Sequence, residues 1–193
     1  EPHEDFKKTG GRTHGFQIWV NLPSKHKMMS PRYQEIPATE SPTVENGGIW
    51  ARVIAGECLG TNSSIDTVIP ITLIHVKAEE GASLVQRIDP TSNAMIYVFG
   101  GKITVANQPR VRKNPFPPGL GVNQQVRNGE LALLSQGDEV EIKSDLASEF
   151  LVLAGPEIDE PIARYGPFVM NTKEEINQAF LDYQNGNFAH SPH

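Results

Sequence analysis

The sequence predicts an all-β domain that ends in a single α-helix. Fifteen prolines and 17 glycines lie among short runs of Val, Ile, Leu and Phe, and they interrupt the chain too often for long helices before residue 170. After residue 170 one helical pattern appears with its own start and stop signals. These observations favour short strands joined by turns, followed by one amphipathic helix.

Eight short segments rich in β-branched, aromatic and other apolar residues are the predicted strands. They comprise residues 15–21, 49–55, 69–77, 95–98, 101–106, 130–134, 139–143 and 149–154. Two proline-rich stretches interrupt this pattern. Residues 22–48 are predicted to form an extended linker along the surface, and residues 107–128 an exposed insertion between two strands.

The helix is predicted from its caps and its apolar face. Thr172 is suited to be the N-cap, and Glu175 three residues later completes a capping box. Gly186 is placed to end the helix. The apolar face comprises Ile176, Ala179, Phe180 and Tyr183. We expect this face to pack against a sheet, because the polar face is not basic enough for a membrane surface.

Composition argues against several classes of function. The formal net charge is -6, which disfavours direct binding of nucleic acid or anionic lipid. The one basic cluster, Arg110, Arg112 and Lys113, is interpreted as a solvated loop. A single cysteine, Cys58, rules out an intramolecular disulfide framework and indicates the cytoplasm or the nucleus. We expect neither a secretory leader nor a membrane span of roughly 20 apolar residues.

Four stretches stand out: residues 14–23 (HGFQIWVNLP), 31–35 (PRYQE), 153–155 (LAG) and 165–172 (YGPFVMNT). In this order they resemble the pirin family, whose members are two-barrel proteins of the cupin superfamily. The resemblance implies a double-stranded β-helix, the cupin or jelly-roll barrel, with one C-terminal α-helix. It also implies a division into the end of an N-terminal barrel at 1–22, a linker at 23–48, and the C-terminal barrel with its helix at 49–193.

Two spaced motifs supply the metal ligands of cupin barrels, and here both keep their glycines while the ligands are replaced. Where the first motif has Gly, His, His, Glu and Gly, this sequence has Gly81, Arg87, Asp89, Asn93 and Gly100. Where the second has Gly, Pro, Gly, His and Asn, it has Gly129, Ser135, Gly137, Val140 and Ser144. Glycine suits turns with positive φ, so the fold signal persists without the metal signal. Arg87 and Asp89 are expected to form a rim ion pair.

We therefore predict no metal ligand, cofactor site or catalytic residue in this barrel. His14 and His75 are expected to be hydrogen-bonded structural histidines, although His14 facing the first barrel is an alternative. Nothing near Cys58 would depress its thiol pKa. The histidines in polar or terminal segments are His3, His26, His190 and His193. The carboxylate pairs in turns or in the first helical turn are Glu79-Glu80, Asp159-Glu160 and Glu174-Glu175.

For whole family proteins the resemblance implies an iron-binding first barrel and two functions of different classes. One is an iron-dependent quercetin 2,3-dioxygenase, and the alternative is an iron-dependent transcriptional co-regulator that binds a transcription factor. We expect this chain to be a fragment or shortened relative that lacks the iron of its full-length parent. Its expected role is a structural and interaction module that packs against the N-terminal barrel. An uncovered apolar strand at 15–21 would also cause self-association through residues 14–22.

Overall fold

The computed structural model describes residues 10–11, 14–106 and 124–187. Two antiparallel sheets, hereafter the large and the small sheet, share one apolar core. In spatial order, the large sheet contains β1 (Thr43–Asn46), β2 (Ile49–Ala55), β5 (Thr72–Ala78), β12 (Ser148–Pro156), β7 (Ser92–Gly100) and β10 (Leu131–Leu133). The small sheet contains β6 (Ser83–Arg87), β11 (Glu139–Ser144), β8 (Lys102–Ala106) and β9 (Gln124–Arg127).

Two small hairpins and two helices complete the described part of the chain. β3 (Glu57–Cys58) pairs with β4 (Thr61–Asn62), and β13 (Ala163–Tyr165) pairs with β14 (Phe168–Met170). The helices are the single turn α1 (Ser24–Lys27) and the longer α2 (Lys173–Gln184). Within the described residues, we find no helix with the length and hydrophobicity required to cross a membrane.

Strict alternation of buried and less buried residues positions the core. In β2, Ile49, Ala51 and Val53 are buried while the residues between them face outwards. Phe150 is fully buried at the centre, because β12 lies between β5 and β7. The predicted all-β cupin-type fold with one C-terminal helix is confirmed, although the two sheets do not close into one hydrogen-bonded barrel within the described residues.

Seven of the eight predicted strands are confirmed to within a few residues. The strand predicted at 15–21 is wrong, because this segment has no strand structure. A strand needs a neighbouring edge to pair with, and here the segment lies across the face of a sheet instead. The stretch predicted as a linker contains α1 and β1, and the predicted insertion ends in β9. The rest of that insertion, residues 107–123, lies outside the described residues.

The C-terminal helix agrees with its sequence signals. The Thr172 side chain accepts a hydrogen bond from the Glu175 amide, and the Glu175 carboxylate accepts one from the Thr172 amide. After the C-cap residue Asn185, Gly186 takes a left-handed conformation with φ +71°. The helix packs on the hairpin of β13 and β14, where Phe168 and Ile176 are buried together.

Candidate functional site

Strand alternation decides which residues of the first cupin motif face the interior. Gln86 and Ile88 are buried, whereas Arg87, Asp89 and Asn93 are exposed. The ligand positions predicted by counting along the chain from Gly81 therefore lie on the outside of the fold. A shift of one residue along a strand moves every side chain to the opposite face.

Asp89 has its own local partner. Its carboxylate accepts hydrogen bonds from the amide and the hydroxyl of Thr91, at 2.8 and 2.5 Å. The hydroxyl bond first, and then the amide bond, lower the pKa of the Asp89 carboxyl. The rim ion pair predicted with Arg87 is wrong, since no such contact occurs among the described residues. A hydrogen bond within a turn costs less side-chain conformational entropy than an exposed ion pair that must hold a long arginine side chain in place.

The interior positions that correspond to ligand positions do not fit iron. They are Gln86, Ile88, Ala94 and Val140. Three of these side chains are hydrocarbons, and iron requires imidazole or carboxylate donors. The Gln86 Nε2 group donates to the carbonyls of Glu57 and Arg87 at 2.9 Å each, while its Oε1 is buried without a hydrogen-bond partner. Across the described ranges, no cluster of three His, Cys, Asp or Glu side chains is arranged to hold a metal.

A cavity of about 230 Å³ opens at one end of the core, beside these interior positions. Its apolar wall includes Ile88, Ala94 and Val140, and the turn that carries Ser135 and Gly137 forms another side. None of the described residues that line the cavity has an imidazole or a thiol. The cavity is lined by two carboxylates, Asp138 and Glu139, but Val140 occupies the histidine position of the second motif.

Cys58 is fully buried in the core. Burial, with a smaller contribution from the charge of Glu57, raises the pKa of the Cys58 thiol to about 11. The side chain is therefore protonated near neutral pH and is not a nucleophile. The prediction that nothing depresses this pKa is confirmed.

The outer face of the large sheet, which points away from the small sheet, is the most distinctive surface. Its side chains alternate with the buried core residues of the same strands. They include Trp50, Arg52, Leu73, His75, Lys77, Met95, Tyr97, Phe99, Leu131, Leu133 and Glu149. Aromatic, cationic and aliphatic groups thus share one contiguous surface.

The segment 14–22, hereafter the strap, lies across the middle of the outer face. The ring of Phe16 is 5.0 Å from that of Phe99 and 5.7 Å from that of Tyr97, centroid to centroid. His14 packs on the same cluster, with its ring edge to face against that of Phe99 at 5.6 Å. The hydrogen bond predicted for His14 is not among the contacts of the described residues. Farther along, residues 18–21 approach the aliphatic end of the same face.

Two contacts hold the chain, one at the first residue of α1 and one beyond its end. The backbone amide and the hydroxyl of Ser24 donate to the Glu160 carboxylate at 2.7 and 3.1 Å, and the side-chain Nδ2 of Asn171 donates to it at 2.8 Å. The hydrogen bond from the Ser24 amide is the main cause that lowers the pKa of the Glu160 carboxyl. Beyond α1, Arg32 pairs with Asp66 at 2.7 Å. Glu160 is thus a structural anchor.

A polar cluster occupies the side of the outer face beyond the strap. His75 Nε2 and Glu149 Oε1 are 2.7 Å apart, so the predicted hydrogen-bonded histidine is confirmed. Burial lowers the pKa of His75, and the opposing hydrogen bond with Glu149 does not cancel this effect. Lys77 Nζ lies 3.7 Å from the same carboxylate. The rings of Trp50 and His75 meet edge to face at 5.4 Å.

Large apolar groups on and beside the strap remain open to solvent. Phe16 is 43% exposed and Trp19 59%. At the opposite margin, Leu131 and Leu133 of β10 are 51% and 71% exposed. Large exposed apolar patches are common at interaction sites of proteins.

The other residues considered from the sequence do not form a site. His26 lies partly buried within α1, whereas His3, His190 and His193 lie outside the described residues, as do Arg110, Arg112 and Lys113. Glu79 and Glu80 lie in the turn after β5, and Glu175 serves the capping box. Trp50 and Arg52 are not predicted as surface residues of interest by any motif in the sequence. Alternation within 49–55 was the signal that places them on the outer face.

Comparison with known proteins gives a consistent result. Residues 73–189 match the sequence profile of the Pirin C-terminal cupin domain. The chain is 36% identical over 174 residues to Pirin of Homo sapiens, covering 89% of this chain and 56% of that protein. It is 34% identical over 186 residues to a putative quercetin 2,3-dioxygenase of Vibrio cholerae, covering 92% of this chain and 60% of that protein.

A crystal structure of quercetin 2,3-dioxygenase from Acinetobacter baumannii is similar in fold. It superposes with a TM-score of 0.74 at 32% identity, over 88% of this chain and 55% of that one. The chain therefore spans a little over half the length of these relatives.

Proposed function

The chain belongs to the pirin family, and from this premise we propose that it is a structural and interaction module which packs its outer face against another cupin barrel. In two-barrel relatives that partner would be the N-terminal barrel, with residues 1–22 as its end, 23–48 as the linker and 49–193 as the C-terminal barrel. The observation that supports the proposal best is the strap, which presents Phe16 and Trp19 to solvent on a face that is already aromatic.

The interior of the core supports a role without metal. Its positions equivalent to cupin ligands carry mainly hydrocarbon side chains, so the chemistry of a dioxygenase would have to be supplied elsewhere. The relatives are longer by an amount that would accommodate one more barrel. We place the iron of a full-length protein there, together with any quercetin 2,3-dioxygenase activity.

A transcription-factor partner, the alternative implied by the resemblance, would also need a protein-binding surface. The outer face is the best candidate for it, so such a partner would compete with a cupin barrel. We propose the cytoplasm or the nucleus as the location, because the single cysteine, Cys58, is a free thiol and reducing compartments keep thiols free.

Sedimentation equilibrium of the chain tests the proposal, because an uncovered outer face should cause reversible self-association at tens of micromolar. The double variant F16S/W19S should be monomeric, since it removes the largest exposed apolar groups of the strap. L181S is the matched control, because Leu181 is 51% exposed but lies on α2. A wild-type chain that stays monomeric over this range would contradict the proposal.

A further inference from the structure

The cavity at one end of the core has an apolar floor. Ile88, Ala94 and Val140 are buried there, and Val105 of β8 and Ala132 of β10 complete the floor. The volume of the cavity is about 230 Å³, which exceeds the roughly 150 Å³ at which an engineered apolar cavity binds benzene. The floor therefore has room for a small hydrocarbon group, such as one aromatic ring with a short substituent.

The mouth of the cavity is polar and carries negative charge. Asp138 and Glu139 line the cavity and are exposed, so their carboxylates lie at the mouth rather than on the floor. Among the described residues of the lining, none is a lysine, an arginine or a histidine. Arg87 lies opposite Glu139 in the pairing of β6 with β11, but the two form no ion pair in the described part of the chain.

Two hydrogen-bond donors beside the cavity are already engaged. The Ile88 amide donates to the Asp138 carbonyl at 2.9 Å, and the Gln136 side-chain Nε2 donates to the Pro90 carbonyl at 3.0 Å. An anionic ligand would lose its hydration here without gaining these donors, and it would also meet two carboxylates. An ammonium group, by contrast, is a donor and carries the charge that complements the mouth.

We propose that this cavity binds a small organic amine, with its apolar body on the floor and its protonated nitrogen at the mouth beside Asp138 and Glu139. Burial of the hydrocarbon body supplies most of the affinity, and the charge-assisted hydrogen bond selects an amine over an alcohol or an acid. The site lies between the two sheets and requires no metal. It is separate from the outer face and so does not depend on the proposed interface.

Titration of the wild-type chain with benzylamine, benzyl alcohol and benzoate tests the proposal, because these probes share a ring and differ in charge. Carbon-13 methyl NMR follows Ile88, Ala94 and Val140 on the floor. Benzylamine should shift these signals saturably with a Kd of about 10 mM or below, the range expected for so small a ligand. Benzyl alcohol should bind about threefold more weakly, and benzoate should give no saturable shift.

Two changes in the chain separate the mouth from the floor. D138N/E139Q should weaken benzylamine binding by about threefold or more and leave benzyl alcohol unaffected. E35Q/E174Q is the matched control, because it removes the same charge from exposed positions outside the lining, and it should behave as wild type. A132L should abolish binding by filling the floor. If A132L does not fold, the smaller change V105I takes its place and should weaken binding of both probes.

The absence of a saturable benzylamine shift at the floor methyls would overturn the site itself. Equal affinities for the three probes, or equal benzylamine affinities of D138N/E139Q and wild type, would overturn the assignment to an amine. Neither result would bear on the outer face, since that proposal is tested by self-association.

Discussion

Replacing Gly101 by alanine should destabilise the fold far more than the same change at Gly129. Both glycines have positive φ, +73° at Gly101 and +85° at Gly129. At Gly129 an added Cβ meets nothing within 4 Å. At Gly101 it would overlap the Ala147 carbonyl oxygen and lie 2.8 Å from Ser148 Cα. Only Gly101 therefore combines backbone strain with a collision against backbone atoms.

The magnitude follows from those two contributions. Left-handed strain costs about 1–2 kcal/mol, and the lower entropy of an unfolded chain with alanine offsets about 0.4–1 kcal/mol, so G129A should cost about 1 kcal/mol. In G101A the collision would also displace Ser148, whose hydroxyl accepts from the Lys102 amide at 3.0 Å and donates to the Lys102 carbonyl at 2.9 Å. Losing both bonds adds about 2 kcal/mol or more.

Urea unfolding followed by circular dichroism measures the comparison, with both variants and wild type in the same buffer. We expect the free energy of unfolding to fall by about 3–4 kcal/mol in G101A, the sum of strain and lost hydrogen bonds. Equal losses in G101A and G129A would refute the reasoning, because they would show that the turn relaxes without disturbing Ser148.

The other predictions concern single contacts. Cys58 should react with a thiol reagent at pH 8 only after unfolding, because burial raises its pKa to about 11; fast reaction of the native chain would contradict this. T172A should lower the free energy of unfolding by about 1 kcal/mol through loss of the helix cap, whereas T67A, outside any cap, should not. The folded pKa of Glu160 is lowered, so its stabilisation should be present above pH 4.5 and disappear as the pH falls through the folded pKa. E160Q should flatten that decline and speed hydrogen exchange of the strap, and unchanged profiles would contradict its anchoring role.

Local sequence patterns predict most strands of this fold and the caps of its C-terminal helix, but not its long-range contacts. Strand positions and the helix caps depend on local preferences and alternation, so seven strands and the capping box of Thr172 follow from the sequence. The segment 15–21 has the composition of a strand, but pairing depends on whether an edge is available, which no local pattern contains. For the same reason the long-range contact between Ser24 and Glu160 has no signal in the sequence.

Glycine spacing alone does not show which residues of the cupin motif face the interior. Glycine spacing locates the turns of a cupin motif, yet a turn that is one residue longer or shorter reverses the face of the strand that follows. Arg87 was therefore assigned a position that belongs to Gln86 or Ile88. The burial pattern identifies the inward positions correctly, because Leu84, Gln86 and Ile88 are all buried and the residues between them are exposed.

Strand alternation places the apolar core and the proposed binding surface on opposite faces of the large sheet. Inward positions such as Ala94 and Ile96 contribute to the apolar core, whose stability does not require metal-donor side chains. Outward positions are free of that constraint, and at these the chain carries Trp50, Arg52 and His75. Because alternation separates the two sets, residues for a partner can accumulate on the outer face without disturbing the core. The proposed interface therefore places no requirement on the inward residues of the same strands.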